Sequence, residues 1–183
     1  MDQGLLPRRY AKALYKYAVE RGAAAQMYTI MGTLADAYET NASLQATIAN
    51  PFVDNDRKTS ILCAAAAVKD GDKAADTFAY FAKLLARHRR MDIMRDTALA
   101  YLAIYRQANN IYKIHITSAA PLADSDKNRI HAMVGRHIGD GTAQYSYSTD
   151  PSLIGGFTVA IDSQRLDASV RNELQQLRQR LLQ

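Results

Sequence analysis

The residues able to do acid–base or metal chemistry are few and widely spaced in this chain. Of its four histidines, only His131 and His137 lie near each other. Their separation places them on different faces of a helix, so a shared metal ion is disfavoured. A Ser-His-Asp arrangement built from distant residues stays open, although no G-x-S-x-G turn marks a nucleophile. We therefore expect no catalytic residue, no metal and no cofactor.

Two further features, Gly155-Gly156 and Cys63, have simpler structural explanations than a chemical role. The glycine pair lacks the further glycine, the lysine and the hydroxyl residue of a phosphate-binding loop. We interpret it as backbone geometry, because glycine adopts conformations that other residues avoid. Cys63 is the single cysteine of the chain and cannot form an internal disulfide. Within the helical run ILCAAAAV it is expected to pack as a small apolar residue.

The strongest basic cluster is Ala86-Arg87-His88-Arg89-Arg90. Such a cluster can contact nucleic acid or acidic lipid. It lacks the aromatic residues on which bases stack, and cations at the end of a helix also oppose the negative pole of its dipole. We therefore favour a solvated helix end. A helical nucleic-acid-binding factor that uses Arg87–Arg90 is the alternative function, and a small enzyme with an unrecognised site is a second one.

Length and composition indicate a globular cytoplasmic protein. The chain has 183 residues, of which 48% are hydrophobic, and a formal net charge of +5. No apolar run approaches the roughly 20 residues needed to cross a bilayer. The opening sequence MDQGLLPRRYAK lacks the basic-then-apolar pattern of a signal peptide. The mild charge is not that of a dedicated nucleic-acid-binding protein, so we expect no nucleic acid and no direct membrane insertion.

The elements that would position any site begin with a helix predicted from Pro7 to Arg21. Proline suits a first helical turn, and Gly22 suits the position after the last. The apolar arc of this helix is wider than one face of a bundle requires. Two explanations stay open, namely burial on two sides within its own domain, or a surface kept open for a partner helix.

Five more amphipathic helices are predicted before residue 109, with short polar connections between them. Their apolar positions recur every three or four residues, which is typical of helices that pack on a common core. These positions are Met27, Ile30, Met31, Leu34 and Tyr38, then the segment Ser43 to Ala49, then Ile61, Leu62, Ala65 and Val68, then Phe78, Phe81, Ala82 and Leu85, and last Met94, Ala98, Tyr101 and Tyr105. The first half is therefore predicted to be a six-helix bundle.

After Asn110 the pattern changes from helical to alternating. The segments Ile111–Ser118 and Ala143–Tyr147 alternate apolar and polar residues, which is typical of strands with one buried face. A helix is predicted between them, from about Asp124 to Ile138. A third strand is predicted at Phe157–Ile161, after the turn formed by Pro151 and the glycine pair.

The chain ends in a second predicted helix, which begins at Asp167. The Asp167 carboxylate is expected to cap it. Val170, Leu174, Leu177 and Leu181 form one apolar stripe, of which Leu174 and Leu177 are expected to be core residues. The fold class is therefore α+β, with an N-terminal six-helix bundle (residues 1–108) followed by a small C-terminal α/β domain (residues 109–183). The order in the second domain is strand-helix-strand-strand-helix.

Two segments carry a resemblance to a known family. In the tail DPSLIGGF…IDSQRLDASVRNELQQLRQRL, the motifs acid-Pro, Leu-x-Gly-Gly, Asp-x-Ser-x-Arg and Leu-x-x-Leu occur in order. This pattern resembles the C-terminal signature of the delta subunit of bacterial rotary ATP synthase, the relative of the mitochondrial oligomycin sensitivity-conferring protein. The segment RRYAKALYKYAVE is similar to the opening helix of that family. The resemblance thus spans essentially the whole chain.

The resemblance implies a non-catalytic stator subunit, peripheral on the cytoplasmic face of the bacterial inner membrane. In the family, the N-terminal bundle grips the N-terminal segment of an alpha subunit of the catalytic head, and the C-terminal domain meets the end of the b subunits of the peripheral stalk. The first and fifth helices line the groove for the alpha segment. The residues expected to line it here are Tyr10, Ala13, Leu14, Tyr17, Phe78, Phe81, Ala82 and Leu85.

Overall fold

The computed structural model describes residues 4–68, 71–162 and 164–181. Contacts divide the chain into two compact units, Met1–Tyr105 and Arg106–Gln183. The helices that begin in the first unit are α1 (Leu5–Glu20), α2 (Ala24–Thr40), α3 (Ala42–Ala49), α4 (Asn55–Ala65), α5 (Lys73–Arg87) and α6 (Met94–Ala108), with a 3-10 turn at Met91–Ile93 before α6. The domain division at residue 108 stays a prediction.

Local signals in the sequence explain where these helices begin and end. The Asn41 side chain accepts a hydrogen bond from the Ser43 amide at 3.2 Å, which caps the start of α3. Asp54 caps α4 in the same way, through the Asp56 amide at 3.2 Å. After α1, Gly22 adopts a φ of +67°. This left-handed residue lets the Ala23 amide donate to the Ala18 carbonyl at 2.8 Å and close the helix.

The core of the first unit is formed by the apolar faces of its helices. Tyr101 of α6 is completely buried, and its hydroxyl donates to the Ala24 carbonyl at 3.2 Å. Burial raises the pKa of Tyr101 far above its usual range, so the phenol stays neutral and remains a donor. The Tyr15 ring packs edge-on against it, with ring centres 6.0 Å apart. Tyr101 therefore ties α6 to the start of α2 and to α1.

The second unit is built on a four-stranded mixed sheet. Its elements are β1 (Ile111–Ser118), α7 (Asp124–Ile138), β2 (Thr142–Thr149), a 3-10 turn at Pro151–Leu153, β3 (Gly156–Ile161), β4 (Gln164–Ser169) and α8 (Val170–Leu181). The strand order is β2-β1-β3-β4, with β1 and β2 parallel and the other pairs antiparallel. The helix α7 connects the parallel pair, as a crossover of this kind requires. The predicted α+β class is confirmed.

The core of the second unit lies between α7 and one face of the sheet. Ile114 and Ile116 of β1 are completely buried and pack with Val159 of β3, which stands opposite Ile116. Ile130 and Val134 of α7 cover them. These residues alternate along the strands and recur at helical spacing on α7, as the sequence predicted.

The prediction for the segment after β3 was wrong. The sequence predicted that the last helix begins at Asp167, whereas the structure has a fourth strand and begins α8 at Val170. β4 is stabilised by its antiparallel pairing with β3, which places Leu166 opposite Val159. Because most side chains of β4 are exposed, the segment lacks the alternation of buried and polar residues that marks a strand in sequence.

The glycine pair acts through backbone geometry, as predicted. Gly156 has a φ of +75°, and a Cβ added there would lie 2.2 Å from the Ala168 carbonyl oxygen. The Gly155 carbonyl accepts from the Val170 amide at 3.0 Å, at the first residue of α8. The pair therefore lets β3 approach β4 closely and fixes the start of the last helix.

Candidate partner-binding surfaces

Three of the eight residues predicted to bind a partner retain exposed area, and all three lie on α1. Tyr10 and Tyr17 are partly exposed and Ala13 is exposed. Their spacing of three and four residues places them on one face of the helix. On α5, Tyr80 is 60% exposed and packs against Tyr17, with ring centres 5.9 Å apart. We call Tyr10, Ala13, Tyr17 and Tyr80 the tyrosine surface.

Aromatic contacts hold the tyrosine surface in place. The Tyr10 ring packs edge-on against Phe81, with ring centres 6.5 Å apart and planes at 68°. The Arg21 guanidinium carbon lies 4.8 Å from the centre of the Tyr17 ring, which is within the range of a cation–π contact. The surface is therefore preformed in this unit, with few rotamers left to order on binding.

The other five predicted residues are part of the core. They are buried and support the tyrosine surface from below. These residues are Leu14, Phe78, Phe81, Ala82 and Leu85. In this structure they offer a partner almost no accessible area, so of the eight predicted residues only the three on α1 have exposed area for a direct contact. The partner-binding role of the eight residues stays a prediction.

Sequence reasoning missed Tyr80, because on α5 it considered only the apolar stripe, both as part of the common core and as the lining of the partner groove. That stripe faces the core, and Tyr80 stands on the opposite, polar side, next to Lys83. An aromatic residue among charged ones on an otherwise solvated helix face was the available signal.

The apolar stripe of α8 is a second exposed surface, in the second unit. It consists of Val170, Leu174, Leu177 and Leu181, and α8 contributes no buried residue. Leu174 and Leu177 are each 52% exposed. The prediction that they are core residues was therefore wrong: helical spacing shows that residues share a face, but not what covers that face.

The predicted cap of α8 was also assigned to the wrong residue. The Ser169 hydroxyl accepts from the Asn172 amide at 3.2 Å and so caps the helix. Asp167 lies two residues before Ser169. Its Oδ1 accepts from the Ser169 hydroxyl at 2.6 Å and from the Ser169 amide at 3.0 Å. These hydrogen bonds hold the pKa of the Asp167 carboxyl below its usual range.

Among the described residues, the histidines are not brought together into a metal-binding group. His131 stacks on Tyr145, with ring centres 3.9 Å apart, whereas His137 is exposed. His115 lies 2.9 Å from the Ser146 hydroxyl through Nδ1 and 3.0 Å from the Ser148 hydroxyl through Nε2. Both ring nitrogens thus contact hydroxyls, which leaves no position for the carboxylate that orients a triad histidine. Across the described ranges, no group of three metal-binding side chains comes together.

The basic cluster lies at the end of α5, which stops at Arg87. All four residues of Arg87–Arg90 are exposed, as expected for a solvated helix end. In the part of the chain that the structure covers, every helix is too short or too polar to span a bilayer.

Comparison with known proteins gives one consistent family. Residues 6–181 match the model of the ATP synthase delta (OSCP) subunit family. The ATP synthase subunit delta of Phocaeicola vulgatus is 34% identical over 179 residues, which cover 98% of this chain and 95% of that protein. The subunit delta of Synechococcus sp. is 29% identical over 175 residues, covering 96% and 93%.

A solved structure shows the same fold. A chain of the Toxoplasma gondii mitochondrial ATP synthase hexamer matches with a TM-score of 0.74 and 18% identity, over 98% of this chain and 99% of that one. The comparisons give no support to a nucleic-acid-binding factor. The match of the family model over nearly the whole length agrees with the motifs in the tail and in the first helix, and the chain belongs to the ATP synthase delta (OSCP) subunit family.

Proposed function

We propose that this chain joins the catalytic head of an ATP synthase to its peripheral stalk through two separate surfaces, one on each unit. The chain is a non-catalytic stator component of the peripheral stalk, as its family defines. The observation that carries the proposal is the presence of an exposed apolar surface on each unit, the tyrosine surface and the α8 stripe. Large exposed apolar residues that cluster in this way typically mark interaction sites.

The tyrosine surface is proposed to bind the N-terminal helix of an alpha subunit. Its three tyrosines offer apolar rings with polar hydroxyl tips, the residue type most enriched at interfaces. Ala13 between them lets the backbone of an amphipathic helix approach closely. We propose that the six N-terminal helices, residues 1–108, act as one bundle that presents this surface.

The α8 stripe is proposed to bind the end of the b subunits. Four apolar side chains on one side of a twelve-residue helix match the stripe that an amphipathic partner helix presents. Arg171, Arg178 and Arg180 are exposed beside the stripe and add charge to its rim. In this proposal, residues 109–183 form the domain that contacts the stalk.

The two contacts together would resist the torque that the rotor applies to the head. Resisting torque requires no catalytic turnover. It requires preformed contacts that dissociate slowly. The chain would act as a peripheral component at the cytoplasmic face of the bacterial inner membrane.

The N-terminal contact is tested by titrating a synthetic peptide of the alpha subunit N-terminus, from the same organism, against the full chain. Ala13→Trp places a bulky side chain on the exposed surface, so we expect the affinity to fall by about tenfold or more with unchanged thermal stability. Tyr80→Ala is a second variant with the same expected direction. Undiminished affinity in both variants would contradict this placement of the alpha subunit.

The C-terminal contact is tested with a soluble fragment of the b subunits. Leu174→Asp with Leu177→Asp should abolish capture of that fragment, because two carboxylates would be desolvated in the interface. Gln175→Asp with Gln179→Asp is the matched control, with the same added charge on the other side of α8. Equal loss in both double variants would mean that charge alone, and not the stripe, is responsible.

A further inference from the structure

Positive charge in the first unit is concentrated on the two helices that carry the tyrosine surface. Within their bounds α1 has four basic residues and one acidic residue, and α5 has three basic residues and one acidic residue, a net of +5. The remaining described residues from 4 to 105 include six basic and seven acidic ones, a net of −1. The basic residues of the two helices are Arg8, Arg9, Lys12, Lys16, Lys73, Lys83 and Arg87.

Part of this charge borders the tyrosine surface. On α1, Arg9 precedes Ala13 by four residues and Lys16 follows it by three, so both lie along the same side of the helix. On α5, Lys73 and Arg87 stand two turns before and after Tyr80. All four cations are exposed.

These cations are available to an outside partner. Over the described ranges, the two ion pairs within 4.0 Å both lie on α7, and neither involves α1 or α5. Arg21, which follows α1, rests on the Tyr17 ring rather than on a carboxylate. An aromatic surface with exposed cations on both of its helices is complementary to a helix with an apolar stripe and acidic flanks.

We infer that the tyrosine surface selects its helix by charge: the bound helix carries acidic residues on both sides of its apolar stripe, and a basic-flanked helix binds more weakly. This inference rests on the proposed function, because it specifies the chemistry of the segment that binds there. The apolar contact supplies most of the affinity. The cations beside the tyrosine surface decide which of many amphipathic helices binds, since like charges placed together at an interface oppose association.

The test uses the full chain and two synthetic twenty-residue amphipathic helices with identical apolar positions. One has Glu at the flanking positions and the other has Lys. We expect the Glu peptide to bind about tenfold more tightly at about 0.1 M salt, and the preference to shrink towards parity at about 1 M, where the screening length falls to about 3 Å. Because both peptides share one apolar stripe, their affinity ratio isolates the electrostatic contribution.

Charge-reversal variants show which cations produce the preference for the Glu peptide. Arg9→Glu with Arg87→Glu changes one cation on each helix beside the tyrosine surface, and it should remove or invert the preference for the Glu peptide. The matched control is Arg57→Glu with Arg95→Glu, which makes the same change in net charge on exposed residues of α4 and α6. This control should retain most of the preference, and thermal melts should show all variants folded.

The outcomes separate this inference from the proposed function. If both peptides bind equally at low salt and Ala13→Trp weakens both, the tyrosine surface is a docking site but charge does not select its occupant. Binding of both peptides that is insensitive to Ala13→Trp overturns the placement of the site, and the inference with it. An equal loss of preference in the two double variants shows that overall charge, and not the rim of the tyrosine surface, is responsible.

Discussion

Replacing Gly156 by alanine should destabilise the second unit far more than a typical glycine substitution. The new Cβ would meet the Ala168 carbonyl oxygen at 2.2 Å and the Ser169 Cα at 3.2 Å. Both atoms belong to the backbone of β4, so no side-chain rotation relieves the contact. The end of β4 must move away from β3, and this movement disturbs the Ser169 hydroxyl that caps α8.

The expected loss in the free energy of unfolding is the sum of three contributions. A residue with a side chain at the φ of +75° found for Gly156 costs about 1–3 kcal/mol. Loss of the last pairing between β3 and β4 adds about 1 kcal/mol for each hydrogen bond, and loss of the cap adds about 1 kcal/mol. We expect a loss of about 3–5 kcal/mol in the free energy of unfolding of this unit.

Gly139→Ala is the matched control in the same unit. Gly139 also has a positive φ, +58°, but an added Cβ would meet nothing within 4 Å, so only the backbone cost of about 1–3 kcal/mol remains. Hydrogen exchange read by mass spectrometry on fragments covering residues 156–169 reports this unit separately from the helices of the first. If the two variants lose protection equally, the close approach of β3 and β4 does not contribute and the reasoning fails.

Three further predictions test the burial and hydrogen bonds described above. Ala82→Trp should lower the melting temperature and cost about 1–3 kcal/mol, because Ala82 is buried and the core is filled; a melt that overlays the parent would contradict its core position. Leu174→Ala should cost less than about 1 kcal/mol in urea unfolding, because half of that side chain is already exposed; a loss of several kcal/mol would show that α8 packs in the core after all. The Asp167 carboxyl has a folded-state pKa below its unfolded value, so its stabilisation is present above the unfolded pKa of about 3.9 and is lost as pH falls through the folded one. Melts from about pH 7 to about pH 3 should therefore show a smaller acid-induced loss for Asp167→Asn than for the parent, and an unchanged loss would exclude this contribution.

The sequence predicted those elements whose side chains are sorted by burial. Ile114, Ile116 and Val159 alternate because one face of the sheet is covered, and α7 shows helical spacing because it supplies that cover. The strand β4 could not be found in this way, since Leu166 is exposed and the pairing with β3 is a tertiary interaction. The start of α8 was predicted too early for the same reason, because Asp167 lies in the unrecognised strand β4.

The candidate surfaces were only partly predictable. The wide apolar arc of α1 left burial and an open surface as alternatives, and only the family resemblance pointed to Tyr10, Ala13 and Tyr17. On α5 and α8 the apolar spacing was correct, but it did not show what covers each stripe. Phe78 faces inward and Leu174 outward, and nothing in the periodicity of a single helix distinguishes these two cases.

The position of β2 has a consequence for handling the isolated protein. β2 forms one edge of the sheet, and its sequence TAQYSYST contains no charged residue and no proline. Folded proteins usually place such residues at sheet edges to prevent strands of neighbouring molecules from adding on, and uncharged segments of high β-propensity are the ones that aggregate. The opposite edge strand, β4, carries Arg165 and Asp167. Self-association of the purified chain at high concentration is therefore expected to begin at β2.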